Sequence, residues 1–230
     1  MMNKFIQLYY IILQRLYVFI KTIQNKTNIN TTKVLMIHKI SDDNDIYSIS
    51  ENNFQKLVNT IYQKSKFSSI IDDDFSNNYI ITFDDAYDSI YTTARPILNN
   101  YNIPYCVFVC NEFIGKEGYL SKKMIEVMSS DPNCTIGSHL YKHVISRFIE
   151  KSELEKYMTL SKEELENITK KDVDAFAFPF GSFFAVSEEN LIVAKKIFKY
   201  VFMTIPVGYK KEDGFVPRYN INNNSFKRFI

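Results

Sequence analysis

The residues best equipped for chemistry are two acids closing an apolar run, Tyr79-Ile80-Ile81-Thr82-Phe83-Asp84-Asp85. The run is β-prone and reads as a short buried strand. Neighbouring strand residues point to opposite faces, so Asp84 and Asp85 can aim at different targets, one holding a metal and one taking a proton. An isolated acid pair of this kind is more often a solvated turn. A second stretch, Gly137-Ser138-His139-Leu140-Tyr141-Lys142-His143, changes that balance. His139 and His143 are four apart, which puts both imidazoles on one side of a helical turn. They are two of the three His in the chain. Two imidazoles and a carboxylate are a common ligand set for catalytic zinc, with a position left open for water. A third stretch, Ala175-Phe176-Ala177-Phe178-Pro179-Phe180-Gly181, reads as a core strand stopped by Pro and Gly.

In order and spacing these three stretches resemble the polysaccharide deacetylase family, the NodB-like carbohydrate esterases of family four. Thr82 to Asp85 matches its Thr-Phe-Asp-Asp motif, and His139 to His143 its His-x-x-x-His motif. Phe176 to Gly181 resembles its Phe-Ala-Tyr-Pro-Tyr-Gly variant with Phe for both Tyr. The likeness runs from about Lys33 to Arg218. It implies that Asp85, His139 and His143 hold a divalent metal, zinc first and cobalt or nickel as alternatives. It implies Asp84 as general base and the Phe180 backbone N–H as an oxyanion donor. Many relatives carry a catalytic His near the C-terminus, but no His follows His143 here. A permuted branch instead begins with an apolar strand ending in Tyr-His. Ile37-His38 resembles that start, so the general-acid role falls on His38.

The departures also carry expectations. Leu140 stands where the family has Ser or Thr, so a hydrogen bond supporting the metal ligands is missing. Ala177 stands where many members carry the Arg that orients the base. Arg218, in a Pro-Arg of the closing segment, is the substitute. There is no Trp to form the family's Trp motif. The implied activity is metal-dependent hydrolysis of N-acetyl or O-acetyl groups on a saccharide, in bacterial surface-polysaccharide biosynthesis. Two alternatives stay open: a deformylase or deacetylase of a lipid-linked aminosugar, and a non-catalytic saccharide-binding relative. No Gly-x-Ser-x-Gly elbow supports a nucleophilic mechanism.

Elements that alternate along the chain must position these residues. Lys33 to His38 is a buried strand, and Ser50 to Lys66 an amphipathic helix capped by Ser50. Tyr87 to Tyr101 is a helix in which Pro96 makes a kink or break. Strands end at Cys110, Ser138, Phe178 and Thr204, with helices at 119–128, 150–169 and 187–198. Asp72-Asp73-Asp74 is a charge run in a loop. Such alternation implies parallel strands with right-handed crossovers. The fold class is therefore α/β. About seven units suit the distorted (β/α) barrel of the resembled family, with the extra N-terminal helix below.

Its 230 residues suit one catalytic domain, 33–230, preceded by a helix and linker, 1–32. With 46% hydrophobic residues, 19 Phe and 16 Tyr, the chain is globular, and a net charge of +2 gives no reason to expect nucleic acid. Cys106, Cys110 and Cys134 read as packing residues without a disulfide framework. In residues 1–25, Phe5, Leu8, Tyr9, Ile12, Leu16, Phe19, Ile20 and Ile23 recur at helical spacing. The apolar runs are too short to span a bilayer, and no signal-peptide cleavage site follows. The first reading packs this helix against the domain. The second lays it in a membrane interface, near lipid-linked substrate. A cytoplasmic location, peripheral to the inner membrane face, is the matching expectation.

Overall fold

The computed structural model describes residues 4–26, 31–43, 45–70, 78–210 and 214–230. The Asp72–Asp74 charge run and part of the linker before Lys33 lie outside them. Helix α1 (Lys4–Lys26) precedes strand β1 (Lys33–Ile37), and a short parallel pair follows, β2 (Lys39–Ile40) with β3 (Ser48–Ile49). Then come α2 (Glu51–Lys64), β4 (Tyr79–Phe83), α3 (Arg95–Asn100), β5 (Tyr105–Val109), α4 (Lys122–Ser129), β6 (Cys134–Ser138) and α5 (Lys151–Thr169). The chain closes through β7 (Ala175–Ala177), α6 (Glu188–Ile197), β8 (Tyr200–Met203), β9 (Val216–Pro217) and β10 (Tyr219–Asn220).

Eight strands form one sheet in the order β10-β1-β4-β5-β6-β7-β8-β9, and every neighbouring pair is parallel. The two edge strands, β9 and β10, are consecutive in sequence, with Arg218 between them. One extended segment therefore pairs with β8 before Arg218 and with β1 after it, nearly closing a barrel. The expected seven units become eight strands because this last segment is divided between the two edges.

Strand alternation sorts the side chains into two cores. Leu35, Ile37, Ile81, Phe83, Val107 and Val109 pack outward against the helices. Val34, Ile80, Cys106, Phe108, Ala177 and Phe202 fill the interior. The barrel is thus packed rather than a pore. Gly137 is needed for that filling: a Cβ there would come within 2.6 Å of the Phe108 ring. All three Cys are free and buried.

The helices begin where side-chain oxygens cap them. Ser50, Ser121 and Ser187 each accept a backbone N–H three residues on, and Ser187 completes a capping box with Asn190. Pro96 is accommodated by a π turn over Ile90–Ala94, so it falls in the first turn of a new helix.

Helix α1 packs on the domain, though not by its regular apolar stripe. It rests on the domain through another face. Tyr10 packs on Phe184, Tyr17 packs on Phe183 and Phe215, and the Gln14 side chain accepts the Phe183 N–H at 3.0 Å. The regular stripe from Phe5 to Ile23 is exposed. Among the described residues no helix is long and apolar enough to cross a membrane.

Candidate active site

Strand alternation and register together assemble the site. Ile37 pairs with Phe83 and Phe83 with Val107, so β1 and β4 end level. The Asp84 N–H donates to Ile37 O at 2.9 Å, which fixes the first residue beyond each strand. His38, Asp84 and His139 thus leave β1, β4 and β6 at the carboxyl end of the barrel. They line a cavity of about 380 Å³ together with Asp85, His143 and Phe180.

Asp85 does not face away from Asp84 as strand alternation predicts. The strand stops at Phe83, and Asp85 and Ala86 take left-handed backbone angles, φ 67° and 63°. That turn brings the second carboxylate into the same cavity. The two His also meet without the expected helical turn. Residues 139–145 form an irregular loop in which Leu140 has φ 68°. Phe180 has φ 62° as well, so four of the six non-glycine left-handed residues described lie at this site. Such backbone strain gathers where the surrounding structure enforces a functional geometry.

The Asp85 Oδ1 lies 3.4 Å from His139 Nε2 and 3.2 Å from His143 Nε2. His139 Nδ1 is 2.8 Å from the Ala177 carbonyl. A carbonyl only accepts, so Nδ1 carries the proton and the neutral ring turns its Nε2 lone pair toward Asp85. Asp85 Oδ1 is buried and lacks a hydrogen-bond donor. The His139 lone pair facing the Asp85 carboxylate across this gap suits a cation, and the three ligand atoms lie within 4.8 Å of one another. This is the only such cluster among the described residues. The residues therefore fit a divalent metal.

The charges are arranged accordingly. Burial pushes the Asp85 carboxyl up, but the adjoining His143 and His139 bring it down to about 2. Burial lowers His139 and favours its neutral ring, the form that can ligate. Burial also pushes Asp84 up, but the Arg218 guanidinium holds it below the usual carboxylate range. That pair is bidentate: Nη1 to Oδ1 at 2.6 Å and Nη2 to Oδ2 at 2.8 Å, with Nη1 also reaching Thr82 Oγ1 at 3.2 Å. Arg218 is wholly buried, its guanidinium 5.2 Å from the Phe108 ring centre. His38 lies across the cavity with its ring against Tyr47, and burial lowers its pKa.

Supporting groups that the sequence did not disclose surround these. Glu112 accepts the His143 backbone N–H. Leu140 is buried in the outer core, and the nearby hydroxyl comes from Ser138, one residue before His139. Its Oγ accepts the Leu140 N–H at 3.3 Å and bonds Ser161 Oγ at 2.7 Å. Tyr87, Tyr119 and Phe113 form a run of rings that continues to His143 and Phe180. Tyr87 had a local signal, two residues after Asp85. Phe113 and Tyr119 come from the loop after β5, where nothing in the sequence marks them.

A family model described as polysaccharide deacetylase matches residues 75–197. Poly-beta-1,6-N-acetyl-D-glucosamine N-deacetylase of Staphylococcus aureus is 30% identical over 166 residues, covering 65% of this chain and 56% of that protein. The chain thus spans little more than half the length of that curated relative. The solved structure of IcaB from Ammonifex degensii superposes with a TM-score of 0.76 at 21% identity, covering 86% of this chain and 95% of that one. BC0361, a polysaccharide deacetylase from Bacillus cereus, superposes with a TM-score of 0.77 at 23% identity, covering 86% and 67%.

Proposed function

Because this chain belongs to the polysaccharide deacetylase family, we propose that it hydrolyses acetamido groups on a surface polysaccharide of β-1,6-linked N-acetylglucosamine. The substrate is taken from the Staphylococcus aureus relative. The observation that carries the reading is the gathering of Asp84, Asp85, His139 and His143 in one cavity at the carboxyl end of the barrel.

Asp85, His139 and His143 would hold the metal, with zinc the first choice for two imidazoles and a carboxylate. A divalent ion there would supply Lewis acidity for the acetyl carbonyl and for the attacking water. The remaining work falls to the chain. Asp84, ionised beside Arg218, takes the proton of the water as it adds to the carbonyl carbon. Arg218 engages both carboxylate oxygens, so it fixes the base in one orientation. The Phe180 N–H donates to the oxygen that becomes negative; Pro179 has no N–H to offer. His38 gives a proton to the amide nitrogen as the C–N bond breaks, releasing acetate and an amine. The run of rings from Tyr87 to Phe180 offers flat apolar faces to a sugar.

The test is acetate release from β-1,6-N-acetylglucosamine oligomers by zinc-loaded protein. Loss of a positioned proton-transfer group should slow turnover by ~10²–10⁴-fold, and His38→Gln is the variant to compare. Wild-type turnover in His38→Gln removes His38 from the mechanism. Zinc-loaded wild type that releases acetate from none of a panel of N-acetylated, O-acetylated and lipid-linked saccharides overturns the reading.

A further inference from the structure

The outer face of α1 is an apolar surface that the chemistry leaves unused. Phe5, Leu8, Ile12, Leu16, Phe19 and Ile23 follow one another along it over about five helical turns. Each is exposed by half or more, Phe5 by 79% and Phe19 by 62%. Single exposed apolar residues are ordinary, but a continuous stripe marks a contact surface. The inner face is already engaged by Phe183, Phe184 and Phe215, so packing within this domain does not bury the outer one.

We propose that this face lies on an anionic lipid surface. The argument is charge. Every charged residue of α1 is basic (Lys4, Arg15, Lys21 and Lys26), and no acid occurs before Asp42. At about 3.6 residues per turn, Lys4 and Arg15 fall on one border of the apolar stripe, and both are exposed. An apolar stripe bordered by basic side chains lies in the plane of an anionic interface, with the acyl region taking the stripe and the headgroups taking the charges. A second copy of the chain would instead set basic helix against basic helix. The helix is 23 residues long but does not qualify as a span. It rests on the segment that directly follows Phe180 and Gly181, and Phe148, itself exposed, packs on Phe184 and widens the patch.

The experiment is cosedimentation of the full chain with vesicles of phosphatidylcholine and phosphatidylglycerol in equal parts, beside vesicles of phosphatidylcholine alone. The wild type is expected to pellet with the mixed vesicles and to be released by salt. The double variant Leu16→Glu/Phe19→Glu, folded by circular dichroism, is expected to stay in the supernatant. Lys4→Gln/Arg15→Gln, which leaves the stripe intact, should weaken binding roughly fivefold per charge removed. A wild type that does not pellet overturns the proposal, as does a Leu16→Glu/Phe19→Glu protein that pellets as before. A dimer in light scattering that dissociates in that variant, without vesicle binding, assigns the face to a second copy instead.

Discussion

At the scale of the residue, the site depends on one buried ion pair. Arg218 and Asp84 are both almost without exposure and bonded through both carboxylate oxygens. Removing one partner of such a pair leaves the other charge uncompensated, at a cost of about 3–5 kcal/mol. Arg218→Met should lose stability on that scale in urea unfolding, and Asp84→Asn, which strands the guanidinium, should also. Loss of Asp84 is thus expected to cost fold as well as rate. The pH dependence follows from the same pair. In the proposed mechanism Asp84 acts ionised, and Arg218 holds its pKa below the usual carboxylate value. The stabilisation is full above the unfolded value of about 3.9 and is lost as pH falls through the lowered folded value. In Arg218→Met the guanidinium's share of that lowering is lost, so the acid limb of kcat/KM should move to higher pH. A limb that stays in place would separate Arg218 from the base. A separate prediction concerns the metal. Purified protein reconstituted with zinc should hold about one ion per chain and His139→Ala should hold none, read by atomic absorption. The Asp84-Asp85 and His-x-x-x-His residues were legible because each pair is closely spaced and His is rare in the chain. The ring of Phe113 and the carboxylate of Glu112 were not, because a loop of ordinary composition brings them there.

At the scale of the element, strand parity places the chemistry. His38, Asp84 and His139 each follow a strand and continue its inward face. This much was readable from apolar runs ending in His or Asp. The local backbone was not. Left-handed angles at Asp85 and Leu140 are set by the turns that tertiary packing imposes, and neither residue type announces them. Helical spacing likewise suggested a shared helix face for His139 and His143, whereas an irregular loop delivers them. Gly137 shows how strand packing reaches the site. Its missing side chain admits the Phe108 ring, which packs on Arg218 and Phe202. Gly137→Ala should cost about 1–3 kcal/mol in urea unfolding through overpacking. Because Ser138 and His139 follow directly, it should also weaken zinc affinity in a competition titration. Unchanged stability would mean that the ring moves freely.

At the scale of the whole molecule, the alternating pattern foretold parallel strands, the family resemblance a barrel, and the late Val216-Pro217-Arg218 segment a closing of the domain. The manner of closing was hidden, because two-residue strands carry no periodicity to read. The α1 stripe was visible in sequence as apolar spacing, yet spacing alone does not say which side of a helix meets the domain. The closing segment makes the most distant pairing in the sheet, Leu35 with Tyr219. Such non-local contacts form late, after loop-closure entropy has been overcome. In refolding, helical circular dichroism should therefore recover before acetate release does, and simultaneous recovery would argue against a late seam. The same feature sets an order of events during synthesis. When the ribosome has made everything through β8, His38, Asp84, Asp85, His139 and His143 have all emerged, yet Arg218, the partner of Asp84, does not exist. A nascent chain carries these side chains in unassembled form, and the cavity is complete only once the final segment has paired with both the first strand and the eighth.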